Sequence, residues 1–194
     1  MLKKSSLLIA FVLILDQLLK VWIKTNMMIG QEIYFFDWFI IHFTENKGMA
    51  FGMEFGGNLG KYILSIFRII AIVAISIYWV KLANTQVKKG IIYSISLILA
   101  GAIGNMIDSA FYGMIFSESY GQIATFFEGG YSSFLQGKVV DMFYFPLING
   151  YFPNWLPFVG GNHFIFFRPI FNIADAAIST GVINILIFHR SFFK

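Results

Sequence analysis

Four long apolar stretches punctuate this chain, at about 5–23, 62–80, 90–107 and 170–188. Each meets the roughly 17 to 25 residues that a helix needs to cross the hydrocarbon of a bilayer. The short connections 1–4, 81–89 and 189–194 carry Lys3, Lys4, Lys81, Lys88, Lys89, Arg190 and Lys194 and no acidic residue. Such a bias holds loops on the cytoplasmic side, so both termini and the middle loop are expected inside. The two long connections, 24–61 and 108–169, then face outward and hold most of the acidic residues. Lys3 and Lys4 ahead of an apolar run also suit a cleaved leader. The length of the run, the polar pair Asp16-Gln17 and the lack of an Ala-x-Ala-like site favour a retained first helix.

The outer connections have a different pattern. From Glu32 to Phe43 aromatic and β-branched residues dominate, Glu45-Asn46-Lys47-Gly48 supplies turn chemistry, and Met49 to Phe55 return to apolar character. This predicts a β-hairpin around Asn46, lying on the membrane surface. The second connection, rich in Phe, Tyr, Gly and Pro, reads as an interfacial loop, because aromatic rings favour the headgroup level. The fold class is therefore a membrane all-α protein with a small β element, in one integral membrane domain over 1–194.

Composition supports the class. Of 194 residues 58% are hydrophobic and 12% charged, and the mean hydropathy is +0.73, outside the range of soluble domains of this size. The net charge of +4 is topology rather than a nucleic-acid footprint, so no nucleic-acid partner is expected. With no cysteine there is no disulfide framework, thiolate nucleophile or Cys-based metal site.

Polar residues inside apolar spans are costly and mark function. Asp16, Gln17 and Lys20 fall in the outer half of the first span, Asn105 and Asp108 at the outer end of the third, and Asn172 and Asp175 at the outer start of the fourth. All share one depth, and Val139-Val140-Asp141 adds a carboxylate just outside the bilayer on the same side. Asp16 and Lys20 are four apart and suit a structural ion pair equally well. Gly101 and Gly104 share the face of Asn105 and Asp108 and suit close helix packing.

Two carboxylates held close do not both ionise cheaply, so one keeps a proton while the other deprotonates water. Amide hydrolysis is the natural reaction for such a pair. His42, His163 and His189 lack metal-ligand spacing and no His-Glu-x-x-His is present, so no metal or other cofactor is expected. A small transporter or proton pathway built on intramembrane carboxylates is the alternative.

The series DQLLK (16–20), NKGMAF (46–51), GAIGNMID (101–108), VVD (139–141) and FNIADAAISTG (171–181), in this order across four spans, resembles the lipoprotein signal peptidase (signal peptidase II) family. The resemblance covers nearly the whole chain. It implies a bacterial intramembrane aspartic endopeptidase of the cytoplasmic (inner) membrane, working near the outer leaflet. Such an enzyme removes the signal peptide from prolipoproteins just before the diacylglyceryl-modified Cys, in contact with membrane lipid, and globomycin-type compounds inhibit it. Carried over by motif, Asp141 and Asp175 are the catalytic pair, and Asp16, Lys20, Asn46, Gly104, Asn105, Asp108, Asn172 and Ala174 are supporting or substrate-binding residues. The family's β-cradle corresponds to the hairpin around Asn46, and its extracytoplasmic helix to part of 108–139. The family usually has Arg after the Asp of the third-span motif. Ser109 stands there in this chain, so what that Arg supports is either replaced, by Lys138 or Arg168, or missing.

Overall fold

The computed structural model describes residues 1–48 and 57–190. The expected apolar leg Met49 to Phe55 and the terminal Lys194 lie outside the described residues. In chain order the elements are α1 (Leu2–Asn26), β1 (Glu32–Phe36), β2 (Phe39–Asn46), α2 (Gly57–Ala83), α3 (Lys89–Ile107), a π-helical turn (Asp108–Tyr112), α4 (Gly113–Ile115), β3 (Val139–Tyr144), β4 (Ile148–Tyr151), β5 (His163–Phe166), β6 (Ile170–Phe171) and α5 (Ile173–Phe188).

The burial pattern is inverted relative to a protein folded in water. On α1, Phe11, Ile14 and Leu18 are exposed, while Asp16, Lys20 and Lys24 are buried. On α2, Ile63, Phe67, Ile70 and Ile77 are exposed as well. Large apolar side chains outside and charges inside are stable only where the surroundings are themselves apolar. Among the described residues, three helices are long and apolar enough to cross a membrane: α1, α2 from Leu59 to Ala83, and α3 extended through the π turn and α4 to Ile115. The fourth apolar helix, α5, has 16 residues.

Helix α3 is the central post, packed against α1, α2 and α5. Its seam with α5 depends on small residues. A Cβ on Gly101 would stand 2.2 Å from the Ala174 carbonyl oxygen, and one on Gly181 would stand 2.5 Å from the Ser94 carbonyl oxygen. Glycine at these two places lets the helix backbones meet, the usual way helices associate without a hydrophobic driving force.

Strands β1, β2, β3 and β6 form one antiparallel sheet in that order. The β1–β2 hairpin turns at Asp37-Trp38, between the paired Phe36 and Phe39, earlier than the expected turn around Asn46. Asn46 instead closes β2, paired with Val139 of β3. The aromatic run conceals this turn because Trp38 and its neighbours stack on one another: Phe36 on Trp38, and Phe39 on Phe35 and Phe145. Beneath the sheet, Ile23 of α1 and Met27 just after it pack with Phe43, Val140, Met142, Tyr112 and Phe116 in a buried core. Strands β4 and β5 pair separately as an exposed hairpin.

Two further expectations shift. The stretch 170–188 is not helical throughout: Ile170 and Phe171 pair with β3, and the helix begins after Asn172. Within 108–139 the helical residues are the continuation of α3 to Ile115. Among the described residues, 116–138 forms no helix and folds back on that continuation, with Gly137 N–H donating to the Ser109 carbonyl at 2.9 Å and Ser132 N–H to that of Gly113 at 2.8 Å.

Candidate active site

Strand pairing brings together the two carboxylates that lie far apart in sequence. Phe143 of β3 is opposite Phe171 of β6, so the residue after Phe171 emerges beside Asp141. That residue is Asn172, the N-cap of α5. Its side-chain oxygen accepts from Asp175 N–H at 2.9 Å, and the Asp175 carboxylate accepts from Asn172 N–H at 3.4 Å. This reciprocal capping box fixes the first turn of α5 and the direction of Asp175. The Asn172 amide nitrogen donates to Asp141 Oδ1 at 2.7 Å, and it also reaches Asn105 Oδ1 at 3.1 Å and the Val140 carbonyl at 3.2 Å. From α3, Asn105 Nδ2 donates to Asp175 Oδ1 at 2.8 Å. Asn172 thus touches both carboxylates.

Asp141 is buried and Asp175 half-buried. Burial, and after it the charge of Asp175, push the Asp141 carboxyl up to about 7, against the opposing pull of Lys20 and of the Asn172 donor. The physical causes are loss of hydration and like-charge repulsion, both of which disfavour the ionised form. Neither carboxylate forms an ion pair with a described residue.

A second cluster adjoins the first. Lys20 Nζ lies 2.9 Å from Asp16 Oδ2, 2.8 Å from Asp108 Oδ2 and 2.9 Å from Asn105 Oδ1, with Lys20, Asp16 and Asp108 all essentially inaccessible. Asp16 Oδ1 also accepts from Ala174 N–H at 2.9 Å, a charge-assisted bond at the positive end of α5. Asp108 Oδ2 accepts from Val140 N–H at 3.2 Å, which ties β3 to the end of α3. Gln17 completes the set: its amide donates to Asp16 at 3.1 Å and to Asp108 at 2.9 Å, and its oxygen accepts from Tyr112 at 3.1 Å. Gly104 is required by crowding, since a Cβ there would be 2.8 Å from Asp16 Oδ2 and 3.3 Å from the Ala174 methyl.

The structure therefore gathers Asp16, Lys20, Gly104, Asn105, Asp108, Asp141, Asn172, Ala174 and Asp175 into two touching clusters. Asn46 does not join them; its side chain accepts from Gly48 N–H at 2.8 Å. Ser109 turns back to its own helix, donating to the Asn105 carbonyl at 3.0 Å. Lys138 does not take a place beside the carboxylate pair either: its ammonium lies 3.1 Å from Glu45 and 3.2 Å from Glu118.

Sequence reasoning passed over two cations. Lys24 is buried, 2.5 Å from Glu45 Oε1 and 2.8 Å from Ser119 Oγ, with its charge over the Tyr131 ring at 4.8 Å. It locks α1 to β2 and to the loop after α4, and it continues the four-residue series of Asp16 and Lys20. Arg68 is the other, a charge inside the second apolar stretch, hydrogen-bonded to the Gly48 carbonyl. The rule that singles out Asp175 applies to it equally.

Along most of its length this chain is similar to known proteins. The family model for signal peptidase (SPase) II matches residues 8–192. A lipoprotein signal peptidase of Porphyromonas gingivalis is 50% identical over 188 residues, spanning 95% of this chain and 82% of the relative. One from Amoebophilus asiaticus is 39% identical over 182 residues, 92% of this chain and 74% of the relative. A solved structure described as a bacterial membrane enzyme superposes with a TM-score of 0.64 at 28% identity, covering 97% of this chain and 88% of that one.

Proposed function

Because this chain belongs to the signal peptidase II family and is a peptidase, we propose that it cleaves diacylglyceryl-modified prolipoproteins just before the lipidated Cys, using Asp141 and Asp175 to activate water. The observation that carries the reading is the double contact of Asn172, which ties together two carboxylates that form no ion pair with a described residue. Asp175, ionised, takes a proton from water as the water oxygen adds to the scissile carbonyl carbon. Asp141, protonated, donates to the carbonyl oxygen, giving a neutral tetrahedral diol. As the C–N bond breaks, Asp175 passes its proton to the leaving nitrogen and Asp141 recovers one from a diol hydroxyl, which restores the pair.

Membrane placement follows the charge bias. α5 serves as a fourth span and the chain forms one membrane-embedded unit of the bacterial inner membrane, with the basic ends inside and the aspartates at the outer leaflet. Lipid and the substrate's acyl chains lie against the exposed apolar faces of the helices, and a globomycin-type peptide occupies the same carboxylate site. Asn105 and Asn172 orient the pair rather than react, and Asn46, at the end of β2, serves the substrate side.

Purified protein incubated with a diacylglyceryl-modified prolipoprotein should release the signal peptide. Asp141→Asn and Asp175→Asn should each lower the rate by about four orders of magnitude or more, since removing one member of a catalytic unit costs nearly as much as removing all of it. Cleavage at the parental rate by either folded variant would sink the mechanism.

A further inference from the structure

Between Phe145 and Pro169 the chain leaves the four-stranded sheet, builds the β4–β5 hairpin and returns as β6. This stretch contains all four prolines of the chain and no Asp, Glu or Lys. Its two faces differ. Ile148 pairs with Phe166 and Gly150 with Phe164, and Phe152 continues that row, its ring stacked on that of Phe164 at 4.5 Å. Ile148 and Phe166 are exposed. The alternate row holds Asn149, Tyr151, His163 and Ile165. There His163 Nε2 lies 2.5 Å from Asn149 Oδ1, and the Tyr151 ring stands edge-on to that of His163 at 5.2 Å. One row is therefore apolar and the other carries the polar groups.

The tip is closed by its own backbone. Phe152 N–H donates to the Asn162 carbonyl and Gly161 N–H to that of Phe152, each at 2.9 Å, and Gly160 N–H donates to that of Leu156 at 3.0 Å. At the end of the tip Phe158 has φ +68, a left-handed conformation that is costly for a bulky residue. Its ring is wholly exposed, and Tyr151, Trp155 and Val159 are exposed as well. A backbone strained to hold an aromatic ring outward, on an apolar patch of this kind, marks a contact surface.

Continuity identifies what covers it. The Phe167 ring packs on Phe171 at 6.0 Å, Phe171 on Phe145 at 5.7 Å, and Phe145 on Phe39 at 5.0 Å. From Phe39 the rings continue to Phe35 and to Trp38, both exposed. This aromatic band reaches Phe171, one residue before the Asn172 cap of α5, so the hairpin leaves the sheet at the level where an apolar helix begins. Aromatic side chains collect at that level of a bilayer. With Arg168 alone as a fixed charge in the stretch, the surface offers little to a charged partner. Its one-sided apolar character is that of an element lying in a membrane interface.

We propose that the β4–β5 hairpin lies on the outer leaflet, with Ile148, Phe158 and Phe166 in the boundary between headgroups and acyl chains and Asn149 and His163 towards water, and that it takes lipid by apolar contact rather than by headgroup charge. The inference rests on the membrane placement given under Proposed function, with this sheet at the outer surface.

Site-directed spin labels test the contact. The chain has no cysteine, so one introduced thiol carries one nitroxide. Ile148→Cys, Phe158→Cys, Phe166→Cys and Asn149→Cys are labelled singly in the full chain, in phosphatidylcholine vesicles. Their relaxation is measured with oxygen, which concentrates in the bilayer, and with a nickel chelate, which stays in water. The first three labels should lie about 5 to 10 Å inside the headgroup boundary, and the Asn149 label should be open to nickel. Adding phosphatidylglycerol or high salt should leave these depths unchanged. Nickel access at all four positions would overturn the proposal. So would apolar-row labels closed to both reagents, as a second copy of the chain would leave them, and so would depths that require phosphatidylglycerol. A label at Ile70→Cys, on the exposed side of α2, keeps the two readings apart. Oxygen access at Ile70 with nickel access at Phe158 refutes the hairpin contact alone, whereas nickel access at Ile70 refutes the membrane placement itself.

Discussion

Two carboxylate clusters lie side by side between α1, α3, α5 and β3, and among the described residues only one contains a cation in contact. Around Lys20, Asp16 and Asp108 each reach the ammonium within 2.9 Å, and Asn105 and Gln17 fill further hydrogen bonds. Around Asn172, the described donors to Asp141 and Asp175 are all amides. Both clusters pair two aspartates with amide side chains, yet the consequences diverge. A cation in contact makes two buried carboxylates a structural joint, whereas amides in the same place leave charge repulsion to be relieved by a proton. Asn105 bonds to Lys20 through its oxygen and to Asp175 through its nitrogen, so the Lys20 cluster orients the proposed catalytic pair.

The largest expected effect comes from removing the cation that distinguishes the clusters. Lys20→Met leaves Asp16 and Asp108 buried without their partner, and breaking a buried ion pair from one side costs about 3 to 5 kcal/mol. Thermal unfolding in detergent should show the loss, and Lys20→Met combined with Asp108→Asn should recover part of it. A single variant as stable as wild type would mean that the Lys20 cluster is not a joint.

The same change in the other cluster should act in the opposite direction. The Asp141 carboxyl rises in the folded protein from the ordinary 3.8 to about 7. The folded state therefore favours the protonated acid: its contribution is full below about 4 and is lost as pH rises towards 7, above which the buried charge is a penalty. Asp141→Asn removes that charge while keeping the shape. The variant should unfold at nearly the wild-type temperature at pH 4 and be more stable at pH 8, by on the order of 2 kcal/mol. Equal stability at both pH values would show that Asp141 is not strained by its surroundings.

Much of this contrast is legible in the amino-acid sequence, because a polar side chain inside an apolar run declares its own depth. Asp16, Lys20, Asn105, Asp108, Asn172 and Asp175 all stand out by that rule. Contacts that depend on strand register do not. The meeting of Asp141 with Asn172 follows from Phe143 lying opposite Phe171, and no local pattern announces a two-residue strand at the start of an apolar stretch. The hairpin turn is hidden for a related reason: Asp37-Trp38 sits inside a continuous aromatic run, while the turn-forming residues Asn46 to Gly48 follow a strand that ends by pairing with β3. Arg68 was readable but is diluted in a run whose average is strongly apolar.

The smallest effect is also the most specific to the pair. On the proposed mechanism the proton sits on Asp141, so kcat/KM should fall about tenfold per unit as pH rises beyond about 7, where that carboxyl ionises. Asn172 donates to Asp141 Oδ1, which favours the ionised form and holds the limb lower than burial alone would set it. Asn172→Ala should therefore be slower, because the pair is less well oriented, and yet its basic limb should move to higher pH, by about half a unit. An amide that merely braced the start of α5 would lower the rate at every pH and leave the limb in place. A limb that moves upward in a slower enzyme distinguishes an amide set between two carboxylates from one that only caps a helix.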